Sequence, residues 1–130
     1  MKIILFVCVE NAHRSQMAEA FLSKSANGHA VAASAGERPA LKVDPKAIEV
    51  MKEIGIDTGK QRPKSLTMNM VEEADVVVTM DCGADVCPIV PKMVEEWKIE
   101  DPAGKFIEKF RYVRDELRKK AENLVEALEI

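Results

Sequence analysis

This chain has no surplus of basic residues and no long apolar run, and it holds few aromatics, histidines and cysteines; each shortage closes a class of function. Its 19 lysines and arginines are outnumbered by 22 acids, for a net charge of −3. Nucleic-acid binding rests on a basic surface, so no nucleic acid is expected as a partner, and acidic membranes are disfavoured likewise. The apolar run at residues 3–9 is far too short for the roughly 20 residues of a membrane span, and Glu10 and Arg14 follow without a processing site. The chain therefore reads as cytoplasmic, with no membrane partner. Aromatic residues make up 5% of it, and the one tryptophan, Trp97, reads as a packing anchor rather than a cofactor platform. The two histidines, His13 and His29, lie far upstream of Cys82 and Cys87. That pair lacks the four ligands of a zinc site, so no metal is expected. With 47% hydrophobic and 32% charged residues, and no repeat or linker, residues 1–130 read as a single domain and a monomer.

What is present is concentrated in Cys8-Val9-Glu10-Asn11-Ala12-His13-Arg14-Ser15. Residues 3–7 are continuously apolar, the mark of a strand buried on both faces, and a helical pattern begins near Arg14. The cysteine thus closes a strand and the arginine opens a helix. Backbone N–H groups at such a turn, with the helix dipole behind them, suit a tetrahedral oxyanion such as arsenate or phosphate. The oxyanion-binding set is then Val9, Glu10, Asn11, Ala12, His13, Arg14 and Ser15. Arg14 can clamp two oxygens, and Ser15 can donate to the Cys8 sulfur. In a reducing compartment the three cysteines are redox groups rather than structural staples, and residues 81–88 are loop-like in composition, which favours accessible thiols.

The remainder alternates strands and helices. Met17, Ala18, Phe21 and Leu22 share a face of a helix over 14–25 that Asn27-Gly28 stops. A strand follows over 29–34, ending at Gly36. Asp44-Pro45 opens a helix with Ala47, Ile48, Met51 and Ile54 inward and Gly55 at its end. A short helix over 65–73, a buried strand over 74–80, a short helix over 91–95 and a brief strand at 98–99 are predicted next. Phe106, Phe110, Val113, Leu117, Ala121, Leu124 and Leu128 trace the stripe of a long last helix. Met51, Met68 and Met70 read as core filler. The order implies an α/β, three-layer fold, a parallel sheet with helices on both faces, its ligands outside the carboxyl ends of the strands, where Cys8 lies.

The residues of the Cys8 loop with Gln16-Met17-Ala18-Glu19, Ser34-Ala35-Gly36, Gly55-Ile56-Asp57, the run 74–80, the run 82–88 and Asp101-Pro102-Ala103-Gly104 resemble thioredoxin-coupled arsenate reductases, a branch of the low-molecular-weight protein tyrosine phosphatase fold. The resemblance spans nearly the whole chain. It implies a four-stranded sheet in the order 2-1-3-4. It also implies that Cys8 attacks arsenic and that Asp101 protonates the departing oxygen. Cys82 and then Cys87 would carry the electrons, ending as a Cys82–Cys87 disulfide that thioredoxin reduces. No bound cofactor is implied, and phosphate or sulfate should compete with arsenate. Ala103-Gly104, where similar phosphatases carry aromatics, favours the reductase branch over the phosphatase one. Asp101 argues against a mere thiol-switch module, which has no use for a general acid. Gly83 is the expected hinge of the relay, and Asp81 beside Cys82 disfavours its thiolate. Some relatives hold potassium through groups matching Asn11, Glu19 and Ser34 plus an acid, where Lys64 stands here. The resemblance therefore implies either a cation site or its replacement by the Lys64 ammonium.

Overall fold

The computed structural model describes residues 1–80 and 93–130. Strand β1, Lys2–Cys8, lies at the centre of a parallel sheet, with β2, Ala30–Gly36, on one side and β3, Val76–Thr79, on the other. β4, Met93–Glu96, completes the order β2-β1-β3-β4. Central placement explains why residues 3–7 are apolar without alternation. Ile4, Phe6 and Cys8 face one layer and Leu5 and Val7 the other, as the two-residue period of a strand requires.

The first layer holds α1, Arg14–Ala26, α2, Pro45–Lys52, and α4, Ile107–Ala127; the second holds α3, Met68–Glu73. α1 stops where Asn27 and Gly28 turn left-handed, at φ of 47° and 86°. α2 starts where the Asp44 carboxylate accepts from the Lys46 amide at 2.8 Å, with Pro45 in the first turn. Phe110, Val113, Leu117, Ala121 and Leu124 of α4 are buried as the periodicity predicts. Trp97 is buried too, its ring 5.5 Å from that of Phe6. Among the described residues no helix is long and apolar enough to cross a membrane.

Three expectations need correction. Residues 65–67 are not helical: Gly36 donates to the Lys64 carbonyl and Leu66 donates to that of Gly36, so this segment runs beside the end of β2 and the helix waits for its Thr67 cap. The fourth strand is Met93–Glu96, not 98–99, and it stands where a helix was predicted, pairing Val76 with Met93 and Thr79 with Glu96. An edge strand needs only one covered face, and its two consecutive glutamates mask the strand pattern. Phe106 and Met68 are exposed rather than core, since Phe106 sits at the N-cap of α4 and Met68 opens α3.

Candidate active site

Cys8 ends β1 and Arg14 begins α1, so the residues between them turn at the carboxyl end of the central strand. The carbonyls of this loop are held from behind. Val9 accepts from the Arg38 amide at 2.8 Å, Glu10 from Ala40 at 2.9 Å, Ala12 from Asp44 at 3.0 Å and His13 from Met17 at 3.1 Å. The Asn11 carbonyl accepts from the Gln16 side chain at 2.9 Å. In a peptide plane the N–H points opposite to the C=O, so the amides of Glu10, Asn11, Ala12, His13 and Arg14 turn to the inner side, the arrangement of an anion-binding nest.

Gly36 is essential to this packing. A Cβ there would lie 2.8 Å from the Val9 oxygen and 2.9 Å from the Asn11 nitrogen. Asn11 adopts φ of 52°, a left-handed geometry that asparagine tolerates. Its Oδ1 accepts from Gln16 at 3.0 Å and from the Lys64 amide at 2.9 Å, which fixes the side chain. Its Nδ2 then donates to Ser15 Oγ at 2.7 Å. The same oxygen lies 2.8 Å from Cys8 Sγ, so hydroxyl and sulfur share a hydrogen bond at the foot of the loop.

Arg14 is buried, and its Nη1 donates to the Ile99 carbonyl at 2.8 Å. Its Nη2 lies 3.6 Å from Asp101 Oδ2. The Asp101 side chain is 44% exposed, open to a bound group, and its Oδ1 accepts from the Ala103 amide at 3.0 Å. So loose a pair adds little stability; it places the Asp101 carboxyl beside the Arg14 guanidinium. Cys8, Arg14, Ser15 and Asp101 therefore converge.

The cation-site residues divide. Ser34 donates to Glu19 at 2.7 Å, while the Lys64 ammonium donates to the Arg62 carbonyl at 3.0 Å. What Lys64 gives Asn11 is its backbone amide. Cys82 and Cys87, with Asp81 and Gly83, lie outside the described residues. Among the described residues no group of three or more His, Cys, Asp or Glu could hold a metal ion.

Three supports escaped the sequence reading. Gln16, 1% exposed, donates to Asn11 and to the Arg62 carbonyl and accepts from Gln61 at 2.6 Å. Gln61 joins the loop network through this contact. Asp44, read only as a helix cap, also meets His13 Nε2 at 3.0 Å. Nothing in the spacing of these residues signals their contacts, although a glutamine inside an apolar helix face was an available clue.

A cysteine at the end of the central strand, an arginine at the start of the next helix and an aspartate beside it make up the candidate site. The sequence matches the family of low molecular weight phosphotyrosine protein phosphatases over residues 3–130, and the chain belongs to that family. It is 42% identical over 120 residues to arsenate reductase 2 of Staphylococcus epidermidis, covering 90% of this chain and 91% of that protein. The glutaredoxin arsenate reductase of Synechocystis is 36% identical over 128 residues, 96% of this chain and 97% of that one. The solved thioredoxin-dependent arsenate reductase of Corynebacterium glutamicum superposes with a TM-score of 0.87 at 34% identity, over 99% of this chain and 62% of that one.

Proposed function

We propose that this chain reduces arsenate to arsenite. The observation that carries the reading is the contact of Cys8 Sγ with Ser15 Oγ beneath the oxyanion loop, with Arg14 and Asp101 at its rim. Further support comes from the names of the similar proteins and from two more thiols, Cys82 and Cys87, in the sequence. The Cys8 thiolate attacks As(V), an S–As bond forms, and Asp101 supplies the proton with which the displaced oxygen leaves as water. The Cys82 thiolate then attacks Cys8 sulfur. An S–S bond forms, the S–As bond breaks, and its electron pair stays on arsenic, which departs as arsenite. Cys87 attacks Cys82 in turn, frees Cys8 and leaves a Cys82–Cys87 disulfide. A dithiol protein of the thioredoxin type reduces that disulfide, and the cytoplasm is where such a donor acts.

Phosphomonoester hydrolysis is the rival, favoured by the family match itself, because it needs only Cys8, Arg14 and Asp101. One equivalent of arsenate added to fully reduced protein, without thioredoxin, should give arsenite and a Cys82–Cys87 disulfide in peptide mapping. Cys87→Ser should stall as Cys8–Cys82 after about one arsenite per protein, since nothing remains to displace Cys8. Cys82→Ser should release almost none, while phosphatase activity persists in both variants. If both variants turn over arsenate at the wild-type rate with thioredoxin, the Cys82–Cys87 relay fails; if wild type forms no arsenite yet hydrolyses phosphomonoesters, hydrolysis replaces reduction as the function. Parallel assays with glutaredoxin and glutathione identify the donor.

A further inference from the structure

Both oxygens of the Asp44 carboxylate are engaged. Oδ1 accepts from the Lys46 amide at 2.8 Å, and Oδ2 meets His13 Nε2 at 3.0 Å. An ionised carboxylate only accepts, so Nε2 carries the hydrogen. The Asp44 amide in turn donates to the Ala12 carbonyl at 3.0 Å. One residue thus holds two successive residues of the oxyanion loop. Two positions on, Lys46 Nζ donates to the Lys105 carbonyl at 2.8 Å. Lys105 closes the turn behind Asp101, its amide donating to the Pro102 carbonyl at 2.9 Å. Between the two grips stands Phe110, fully buried, with the His13 ring 5.9 Å from its centroid and the Lys46 ammonium 5.8 Å.

We infer that Asp44 and Lys46 are positioning residues, a brace at the start of α2 that sets the oxyanion loop against the turn carrying the proton donor. Asp44, through His13, fixes the loop that binds the anion. Lys46 fixes the turn that delivers the proton. The second half rests on the reading of Asp101 as the general acid. An exposed lysine-to-carbonyl hydrogen bond contributes little to folding, so its loss is felt in geometry, to which proton transfer is sensitive.

The two ends predict opposite kinetic signatures. Lys46→Met keeps the apolar stem over Phe110 and removes the donor. It should lower the single-turnover rate of arsenite release about three- to tenfold, leave phosphate affinity unchanged, and be largely rescued in Lys46→Arg. In an Asp101→Asn background it should cost nothing more, because its effect passes through Asp101. His13→Ala should weaken phosphate binding about tenfold, and His13→Gln, which keeps a donor for Asp44, should recover most of it. A Lys46→Met loss of equal size with and without Asp101, or no loss in either, overturns the acid-turn half. A His13→Ala protein that melts earlier but binds phosphate like wild type overturns the loop half. Should Asp101→Asn alone cost nothing, the general-acid reading fails and takes the Lys46 half with it. The phosphate affinities of the His13 variants still decide the other half.

Discussion

Cys8 is 3% exposed and touches the Ser15 oxygen, so its chemistry depends on what reaches it through the mouth of the loop. A bound oxyanion would cover that sulfur. Alkylation of Cys8 should therefore slow markedly in millimolar phosphate, checked by mass spectrometry of the residue 1–14 region. Ser15→Ala should lower the alkylation rate at neutral pH severalfold, because the sulfur loses its hydroxyl partner. A Cys8 that phosphate leaves unprotected would remove the cradle from the site. Asp101 plays a different part. Asp101→Asn retains the size of the side chain and can still accept from the Ala103 amide, so anion binding should survive. Turnover of arsenate should fall by about 10²- to 10⁴-fold, the usual contribution of a general acid. Equilibrium binding and single-turnover rates measured side by side separate the two effects.

At the scale of elements, the end of β2 is pressed against the oxyanion loop, and only glycine fits at that contact. Gly36→Ala would drive a methyl into the Val9 carbonyl and the Asn11 amide, both backbone and unable to swing away. Phosphate affinity should drop by at least tenfold, with a loss of stability of about 1–3 kcal/mol from overpacking, read by calorimetry and thermal melts. Farther from the site, α2 and α4 are joined by Glu53, which takes Arg111 in a two-pronged pair and Arg114 at 2.8 Å. The hydrogen bond from Arg111 holds the Glu53 carboxyl below its usual range, against a desolvation that works the other way. A carboxylate lowered on folding stabilises the protein above its unfolded pKa, and that contribution is lost as pH falls through the lowered value. Wild type should therefore melt above Glu53→Gln at neutral pH, and the gap should narrow as pH falls below the ordinary glutamate range. Salt should narrow it as well, since the groups are solvent-facing.

Across the whole molecule, what could be read in advance follows from which residues answer to a local rule. The buried run of β1, the Asn27-Gly28 stop, the Asp44-Pro45 start and the stripe of α4 each carry their own signal; with the apolar runs at 29–34 and 74–80 they give three of the four strands and a parallel sheet, whereas the order of the strands came from the family resemblance. β4 failed because an edge strand is half solvated and Glu95-Glu96 reads as helix surface. The start of α3 failed because a long-range pairing to Gly36 overrides local propensity. In the site, the strand-cysteine and helix-arginine pattern was legible, whereas Gln16, Gln61 and the second bond of Asp44 are contacts between segments about 30 to 50 positions apart, which no spacing rule reports. The scaffold behind the loop has one more effect. Since Val9, Glu10, Asn11, Ala12 and His13 have their carbonyls taken up by the protein itself, the receptor is finished before its guest arrives. It cannot reshape itself around one tetrahedral anion in preference to another of equal size. On the proposed function, discrimination among arsenate, phosphate and sulfate is then expected past recognition, at a step that only a readily reducible central atom can complete.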